Sequence, residues 1–397
     1  MEKKMKTKKI FVAFLIVAAS VGNVFSQNAN KQDSNFDHSN LKLAEGFMDV
    51  HKELITIDGC IPLVSMTQDP EHLKWFKDGG ITVASVSISG PPKDPELTTD
   101  IITWFSEQIQ TNDDYVLIRT TDDIINAKKE NKLGILYHCQ SPIPLRENLD
   151  RVWYYKALGL SMMQLAYNAR SPYANGATER VDGGISDLGI KLVKALNEAR
   201  IIVDVAHTAE QSALDIIEAS SEPVVLSHGN ARGLIDNPRN VSDKLLKAVA
   251  DNGGLAGVVG YPPFVSTSSS PTMDDFLDMV DYMVGVMGID HVAFSLDYDA
   301  TMDGVLPDEE VKATYDYYVS TGTWDASAYP PPPYFYPQGI ERPNTLYNLT
   351  GALLARGYSK EDVAKMWSGN WMRVMKQVLD DPKANEVHVE EKRMIEQ

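Results

Sequence analysis

The chain has 397 residues, of which 43% are hydrophobic and 23% are charged, and its formal net charge at pH 7 is -18. That acidic balance excludes the basic surface that binding to a nucleic acid requires, and a solvated surface accounts for it. The two cysteines are too few for a disulfide scaffold. The length exceeds that of an ordinary domain but suits one large barrel with insertions.

The first 26 residues have the pattern of a secretory signal. They hold five lysines and one glutamate, followed by an apolar run over residues 10–21 and by small residues suited to cleavage. The apolar run is too short for a stable membrane span, and no cysteine that could carry a lipid follows it. We therefore expect an exported protein, periplasmic or secreted, whose mature chain begins near Gln27 with a flexible leader over residues 27–43.

Short runs rich in β-branched residues alternate with helical patterns through the rest of the chain. Eight runs are typical of strands, at residues 54–59, 81–88, 133–139, 161–167, 201–207, 223–228, 255–260 and 291–297. Continuous apolar stretches within them indicate parallel strands buried on both faces. We therefore predict an α/β fold, a (β/α)8 TIM-type barrel over residues 44–380, with a polar tail over residues 381–397.

An insertion rich in aromatic residues and proline interrupts the alternation between residue 303 and about residue 343. Its run at 329–337 predicts extended, polyproline-like chain. Because the insertion follows the eighth strand, it belongs to the barrel face where substrates bind, either as a lid or as a surface insertion that packs its own rings. Two C-terminal helices are predicted at residues 344–356 and 360–379, with Ser359 as the N-cap of the second.

Three strand ends carry residues that suit metal and acid–base chemistry. His207 and His228 close the fifth and sixth strands, and Asp297 closes the eighth. Catalytic groups of barrel enzymes lie at these carboxyl ends, where two histidines and an aspartate form a plausible set of metal ligands and a proton-transfer group. A single histidine at the end of a strand more often has a structural role. For two histidines on neighbouring strands, a structural role and a metal-binding role are about equally expected.

Other residues at the strand ends are chemically unusual. Cys60 follows the first strand, Gln140 the third, and Tyr167 lies at the end of the fourth. Arg239 follows the sixth strand, and its planar guanidinium could bind a carboxylate. A surface ion pair is the alternative role for this arginine.

With these motifs the sequence resembles the membrane (renal) dipeptidase family, a zinc-dependent branch of the amidohydrolase barrels. The similarity runs from about residue 53 to residue 378. The stretches that carry it are, in chain order, residues 189–197, 204–207, 227–228, 238–241, 296–299, 353–359 and 369–374. Each motif alone is weak, but their order and spacing together are specific.

The resemblance implies a two-zinc site in which a bridging hydroxide attacks a peptide carbonyl and an aspartate transfers the proton. By position, His207 and His228 match the histidine ligands of the second zinc, and Asp297 matches the aspartate at the end of strand eight. Arg239 matches the arginine that receives the terminal carboxylate of the substrate. The resemblance also implies a homodimer.

The sequence departs from the family at the first zinc. The family's His-x-Asp pair falls on Cys60 and Pro62, and its bridging glutamate falls on or near Gln140. Its substrate-binding histidine falls on Tyr167. We therefore expect one zinc at His207 and His228, with an oxygen from Gln140 or Asp297 as third ligand, and a degenerate second site.

Cys60 has three possible roles. A thiolate there would bind a soft metal or react as a nucleophile. A buried inert cysteine is the blander interpretation, and a bridge to Cys139 is a smaller possibility, because strand alternation points Cys139 away from the side that Gln140 faces.

Three functions follow for this chain. The first is an exported zinc-dependent hydrolase that cleaves dipeptides or small amides, with Asp297 catalytic and with Arg239 and Tyr167 binding the substrate. The second is a tailoring enzyme that acts on a modified peptide or a secondary metabolite. The third is a catalytically degenerate barrel that only binds its ligand.

Overall fold

The fold is available as a computed structural model, which describes residues 36, 38–90 and 95–380. The predicted signal (1–26), most of the predicted leader (27–43) and the predicted tail (381–397) lie outside the described residues. None of the helices within the described part of the chain combines the length and the apolar character that crossing a bilayer requires.

The strands of the described residues form parallel pairs and lie in a curled sheet. Strands β1, β2, β4, β5 and β6 are hydrogen-bonded in that order, β3 pairs with β4 off this path, and β7 pairs with β8. Their bounds are β1 Ile57–Ile61, β2 Val83–Ser89, β3 Tyr115–Leu117, β4 Leu133–Cys139, β5 Leu160–Gln164, β6 Ile202–Asp204, β7 Ala256–Val258 and β8 Val292–Phe294.

Two isolated bridges connect the larger sheet to the β7–β8 pair. Asp204 bridges to Val225 and Leu226 bridges to Ala256, both in parallel orientation. The backbone N–H of Asp297 donates to the carbonyl of Cys60 at 3.1 Å, which links the end of β8 to the end of β1. The curled parallel sheet is consistent with a TIM-type barrel.

The observed strands differ from the predicted ones in two places. The run at 223–228 is present as isolated bridges instead of a strand, because it makes only single contacts with each neighbour. Strand β3 was missed, because it is only three residues long and two of them are partly exposed, so it leaves no apolar run.

Helices lie between the strands and after them. In chain order they are α1 Phe47–Glu53, α2 Leu63–Thr67, α3 Pro70–Asp78, α4 Pro95–Thr111, α5 Thr121–Lys129, α6 Arg151–Leu158, α7 Asp187–Glu198, α8 Glu210–Ala219, α9 Asp243–Asp251, α10 Pro262–Val265, α11 Met273–Met287, α12 Asp308–Ser320, α13 Tyr347–Arg356, α14 Lys360–Ala364 and α15 Asn370–Leu379.

Side-chain caps fix the beginning of several helices. Ser359 accepts from the backbone N–H of Asp362 and forms a capping box with it, which confirms the predicted N-cap. We predicted one continuous helix over residues 360–379, and this prediction is wrong. A π-helical turn, Lys365–Gly369, separates α14 from α15. That turn buries Trp367, whose Nε1 donates to Thr350 Oγ1 at 2.9 Å.

One end of the sheet's interior is apolar. Side chains from six strand positions, from the bridged run at 223–228 and from α15 pack there, including Ile57, Val83, Leu136, Met162, Ile202, Ala293, Val225, Trp371, Val374, Met375 and Val378. Trp371 closes this layer, and Gly59 is required beside it, because a Cβ at Gly59 would lie 2.3 Å from Trp371 Cζ2. The apolar layer supplies the rigid base on which the site is built.

The next layer of the interior is polar. Six of these apolar residues are followed, two positions later, by a buried polar residue on the same face of the chain. These polar residues are Ser85, His138, Gln164, Asp204, Ser227 and Ser295. These residues lie closer to the carboxyl ends of the strands, where barrel enzymes carry out their chemistry.

The insertion contains a helix that the sequence analysis did not predict. Helix α12 carries Tyr315, Tyr317 and Tyr318, whereas residues 329–337 form neither helix nor strand apart from a bridge between Met302 and Tyr334. The proline-free part of the insertion is therefore free to form helical hydrogen bonds, and the proline-rich part is not.

Candidate active site

His207 and His228 face each other at the carboxyl ends of β6 and of the bridged run that follows it. Both side chains are buried, and their Nε2 atoms are 2.8 Å apart. The pKa of each imidazole is lowered, first by burial and then by the positive charge of Arg239. Both rings are therefore neutral at physiological pH.

The tautomer of His207 follows from its neighbour Asn168. The Nδ2 of Asn168 donates to the carbonyl of Thr323 at 3.2 Å, which fixes the orientation of the amide. Asn168 Oδ1 then faces His207 Nδ1 at 2.8 Å and can only accept. The hydrogen of His207 is therefore on Nδ1, and its Nε2 carries a lone pair.

The tautomer of His228 follows from Ser227 and Asp204. The hydroxyl of Ser227 donates to Asp204 Oδ2 at 2.6 Å, and its oxygen lies 2.7 Å from His228 Nδ1. Because the serine hydrogen is used by the carboxylate, His228 Nδ1 must donate to Ser227. The Nε2 of His228 also carries a lone pair.

Two lone pairs therefore face each other at hydrogen-bond distance. Such a pair of nitrogens is repulsive unless a cation lies against both. Neutral imidazoles whose other nitrogen donates to an oxygen are the usual histidine ligands of zinc. The two residues thus fit the metal that the sequence analysis placed on them.

Asp204 is the anchor beneath this pair. Its Oδ2 accepts from His138 Nε2 at 3.0 Å and from Gln164 Nε2 at 2.7 Å, in addition to Ser227. Its Oδ1 accepts from the backbone N–H groups of Ala206 and Ser227. Burial alone would raise the pKa of Asp204, but the hydrogen bond from His138 and the field of that histidine outweigh it, so the pKa is lowered.

Cys60, Gln140 and Asp297 form the other side of the site. Cys60 Sγ lies 2.6 Å from Gln140 Nε2 and 3.7 Å from Asp297 Oδ1. One ligand atom each from Cys60, His228 and Asp297 lie within 4.8 Å of one another. Burial, followed by repulsion from Asp297, raises the pKa of the Cys60 thiol, and burial, followed by repulsion from Asp299, raises that of Asp297.

Cys60 and Cys139 are not joined by a disulfide. Cys139 lies on the opposite face of β4 from His138, close enough to Tyr155 of α6 to affect its titration. The proposed bridge is therefore absent, because alternation along β4 turns the second thiol away from the site.

Arg239 is buried with an incomplete set of hydrogen bonds. Only 1% of its surface is exposed, its Nε donates to the hydroxyl of Tyr329 at 3.1 Å, and its guanidinium lies over the ring of Phe264. One terminal nitrogen, Nη2, has no hydrogen-bond partner among the described residues. A buried guanidinium with an unused donor is suited to an anionic ligand.

Aromatic side chains cover the histidine pair. The ring of Tyr167 stacks on that of His207, with centroids 3.9 Å apart, and its hydroxyl accepts from Trp324 Nε1 at 3.3 Å. Trp324 in turn stacks on Tyr329, with centroids 4.7 Å apart. Trp324 and Tyr329 belong to the insertion, which therefore lies directly over the site.

Three of the site's strand-end residues have strained backbones. The backbone φ values are 55° at Asn168, 59° at His207 and 56° at Asp297. These values lie in the left-handed region, which residues other than glycine rarely adopt. Each such residue costs of order 1–3 kcal/mol, and strain of this kind concentrates at functional sites.

The structure brings all seven predicted site residues into one cluster. His207 contacts His228 and Tyr167, Cys60 contacts Asp297, and ligand atoms of Cys60, His228 and Asp297 lie within 4.8 Å of one another. Arg239 is connected to His207 through Tyr329 and Asn168. Gln140, predicted as a metal ligand, presents its amide nitrogen to Cys60. Asn168, His138 and Asp204 were not predicted as site residues, although an aspartate within the apolar run at 201–205 was a signal that a buried charge must be hydrogen-bonded.

Comparisons with known proteins agree on one family. The sequence profile of the membrane dipeptidase family, peptidase family M19, matches residues 45–315 and 329–387. An uncharacterized dipeptidase of Schizosaccharomyces pombe is 28% identical over 200 residues, 49% of this chain and 48% of that protein. The dipeptidase tcpJ of Claviceps purpurea is 26% identical over 264 residues, 65% of this chain and 54% of that protein. The matched regions thus span about half the length of these two relatives.

Solved structures show the same fold. An amidohydrolase from Pseudomonas aeruginosa superimposes with a TM-score of 0.77 at 30% identity, over 84% of this chain and 99% of that one. A metallopeptidase from Rhodobacter sphaeroides, liganded with a phosphinate mimic of the dipeptide L-Ala-D-Ala, superimposes with a TM-score of 0.65 at 17% identity, over 82% of this chain and 99% of that one. The second likeness concerns the fold alone.

Proposed function

Because the chain belongs to the membrane dipeptidase family, peptidase family M19, we propose that it is a metal-dependent hydrolase of dipeptides or similar small amides. The observation that carries the proposal is the opposed pair of Nε2 lone pairs on His207 and His228, 2.8 Å apart. Zinc is the metal that two neutral imidazoles and a neighbouring thiol or carboxyl group suit best. When bound, zinc supplies a Lewis acid that polarises a carbonyl and lowers the pKa of water.

Asp297 is the proposed proton carrier. It lies beside Cys60 and within 4.8 Å of a ligand atom of His228. Burial, followed by repulsion from Asp299, raises the pKa of Asp297, so this carboxyl group binds a proton more readily than a free aspartate and can return it to a leaving amine. Asp297 therefore holds the proton at one of its carboxyl oxygens between the attack on the amide and the departure of the amine.

Arg239 is the proposed receptor for the carboxylate of the substrate. Its Nη2 has an unused hydrogen bond in a buried setting, so a carboxylate gains a charge-assisted hydrogen bond there without displacing Tyr329 from Nε. This arrangement selects substrates with a free carboxyl group next to the scissile amide. The hydrogen-bonded rings of Tyr167 and Trp324 would shield the bound substrate from water.

The first test measures metal content and turnover on the purified mature protein. We expect one zinc per chain and release of amino acids from a panel of dipeptides, and we expect His207→Ala to weaken zinc binding by at least ~100-fold. Zinc-loaded, folded protein that leaves the whole panel intact would contradict the hydrolase. Metal-free protein that binds a dipeptide without turnover would replace it with the binding barrel.

The second test concerns Arg239. Arg239→Met should raise KM for a dipeptide by roughly 10- to 100-fold, because a hydrogen bond to a charged group is lost. The same dipeptide with an amidated carboxyl terminus is the matched control, and its KM should barely change. An equal loss on both substrates, in protein that circular dichroism shows to be folded, would assign Arg239 to folding instead of binding.

A second candidate, a tailoring enzyme for a modified peptide or a secondary metabolite, is favoured by the aromatic cover. The rings of Tyr167, Trp324 and Tyr329 offer apolar surface to a substrate larger than an ordinary dipeptide. A panel that pairs simple dipeptides with N-acylated or aromatic amides of equal carboxyl terminus distinguishes the two. Higher kcat/KM for the modified amides supports the tailoring role.

We further propose that the protein is exported and that it forms a homodimer. The first proposal rests on the lysine-rich and apolar pattern of residues 1–26. Amino-terminal sequencing of the protein from the extracytoplasmic fraction should begin near Gln27, and sedimentation measures the assembly. Protein with an intact Met1 in the cytoplasmic fraction would contradict export. A monomer at all concentrations would contradict the homodimer.

A further inference from the structure

We propose that Tyr329, a residue of the insertion, donates its hydroxyl hydrogen to the carboxylate of the substrate and so completes the receptor that Arg239 begins. This inference rests on the proposed function, because it concerns the substrate of the same reaction. It gives that carboxylate a second donor and makes the insertion part of substrate recognition.

The hydroxyl of Tyr329 lies on one edge of the Arg239 guanidinium. The Nε of Arg239 donates to the hydroxyl oxygen at 3.1 Å, whereas Nη2 has no hydrogen-bond partner among the described residues. In the standard naming of arginine atoms, Nε and Nη2 share one edge of the guanidinium, and this edge matches the two oxygens of a carboxylate. An oxygen bound at Nη2 therefore lies within hydrogen-bond reach of the Tyr329 hydroxyl.

The hydroxyl hydrogen of Tyr329 lacks a good acceptor. The oxygen already accepts from Arg239 Nε and from Asn168 Nδ2, the latter at 3.0 Å. The acceptor within reach in the described part of the chain is Asn168 Oδ1 at 3.4 Å, beyond the roughly 2.5–3.0 Å of an O–H···O hydrogen bond. Tyr329 and Arg239 thus present two buried donors on one edge, and an anion that accepts from both satisfies them.

Packing fixes the ring of Tyr329 before a ligand arrives. The residue is 3% exposed, its ring is parallel to that of Trp324 within 4°, and its backbone carbonyl accepts from the hydroxyl of Tyr315 at 3.0 Å. A tyrosine held in this way loses little conformational entropy on binding. The family profile does not match residues 316–328, so Trp324 belongs to a segment in which this chain departs from its family.

The pair of donors selects the chemical class of the substrate terminus. A carboxylate accepts from both the Tyr329 hydroxyl and Arg239 Nη2, with charge assistance from the guanidinium. A carboxamide has a single acceptor oxygen, and its nitrogen would place further donors against these two. Tyr329 therefore increases the preference for a free carboxyl group beyond what the arginine supplies alone.

The test measures equilibrium binding, which does not depend on turnover. The probe is alanyl-alanine with its peptide bond reduced to CH2–NH, which hydrolysis cannot cleave, prepared with a free carboxyl group and as the carboxamide. Calorimetry on the purified mature protein gives Kd for both. Tyr329→Phe should weaken binding of the carboxyl probe by roughly 10- to 100-fold, because a hydrogen bond to a charged group is lost. Binding of the carboxamide should change by less than about 3-fold.

Two controls separate recognition from folding. Tyr315→Phe also removes a buried hydroxyl of the insertion, but one that contacts the backbone of Tyr329, so Kd for both probes should change by less than about 2-fold. The double variant of Tyr329→Phe and Arg239→Met should bind the carboxyl probe about as weakly as Arg239→Met alone. Without the guanidinium the carboxylate is no longer placed beside the hydroxyl, so the two losses do not add.

The outcomes separate this inference from the proposed function. An unchanged Kd for the carboxyl probe in Tyr329→Phe overturns the inference, as happens if Nε of Arg239 takes the carboxylate oxygen in place of the hydroxyl. Equal weakening of both probes, or additive losses in the double variant, also overturns it and assigns Tyr329 to folding. The hydrolase stands in these cases if the unmodified protein cleaves dipeptides. A loss confined to the carboxyl probe, in a protein that cleaves no dipeptide, supports Tyr329 as a receptor and overturns the hydrolase.

Discussion

Two carboxyl groups, the buried Asp204 and the partly buried Asp297, lie on opposite sides of the site, and their surroundings shift their pKa values in opposite directions. Asp204 accepts hydrogen bonds from three side chains and two backbone N–H groups, and its pKa is lowered although burial opposes this. Asp297 has few donors and a second carboxyl group, Asp299, nearby, so burial and repulsion raise its pKa.

The difference shows that the donors around a buried carboxyl group, and not burial itself, decide its charge. Asp204 stays ionised and fixes the orientation of His228 through Ser227. Asp297 is able to gain and lose a proton. Environments that push the pKa values of two groups apart give them different roles, and here the role of proton carrier falls to Asp297.

The largest expected effect separates these roles by substitution. Asp204→Asn should destabilise the fold by about 3–5 kcal/mol, because the amide nitrogen faces donors in either orientation. It would meet three side-chain donors at the position of Oδ2 or two backbone N–H groups at the position of Oδ1. Asp297→Asn should leave the free energy of unfolding at neutral pH equal or higher and lower kcat by roughly 10²- to 10⁴-fold. Urea denaturation and steady-state kinetics measure the two quantities.

The reverse pattern would invert the assignment. If Asp297→Asn unfolds the protein while Asp204→Asn leaves both the fold and kcat intact, Asp297 is the structural carboxylate. Asp299→Asn provides the control for a nearby buried carboxyl group that is not placed at the metal.

A smaller effect is expected from the link between Asp204 and the metal. Ser227→Ala removes the hydroxyl that connects His228 Nδ1 to Asp204, so zinc affinity should fall by about 10- to 100-fold with the fold retained. Competition with a chromophoric chelator measures the affinity. Unchanged zinc affinity would mean that Asp204 supports the fold without acting on the ligand.

The stability of the metal-free protein should depend on pH in two opposite ways. The contribution of Asp204 is complete above the ordinary pKa of 3.8 and is lost as the pH falls toward its lower folded value. The contribution of Asp297 is complete below 3.8 and is lost as the pH rises through its higher folded value, because the folded protein then holds a proton that the unfolded chain has released.

Denaturation of the chelated protein as a function of pH tests this. The stability of the unmodified protein relative to Asp297→Asn should fall as the pH rises above 3.8, and the stability relative to Asp204→Asn should shrink as the pH falls toward and below that value. If both stability differences change with pH in the same direction, the two carboxyl groups do not have opposite pKa shifts.

The smallest effect is expected at Ser295, in the same polar layer but outside the network of Asp204. Its hydroxyl is buried and has no hydrogen-bond partner among the described residues. Ser295→Ala should therefore change the free energy of unfolding by less than about 1 kcal/mol, with a gain more expected than a loss. A loss comparable to that of Asp204→Asn would show that the hydroxyl of Ser295 makes a stabilising hydrogen bond, contrary to this expectation.

Much of the fold could be read from the sequence because a parallel sheet buried on both faces leaves continuous apolar runs. Seven of the eight predicted runs coincide with strands, and the eighth is present as bridges around Val225 and Leu226. Strand β3 and helix α12 escaped, the first because it is short and half exposed, and the second because the tyrosines of the insertion concealed a helical stretch next to a proline-rich one.

The sequence by itself determined the family, the order of the strands and the identity of the polar residues that end them, because these depend on local pattern and on motif spacing. Only the tertiary structure decided how those residues meet. It directed two imidazole lone pairs at each other, turned the amide nitrogen of Gln140 toward Cys60 and gave Asp204 and Asp297 opposite surroundings. Such arrangements join strands far apart in the chain, and tautomers, amide orientations and pKa shifts depend on neighbours that no local pattern encodes.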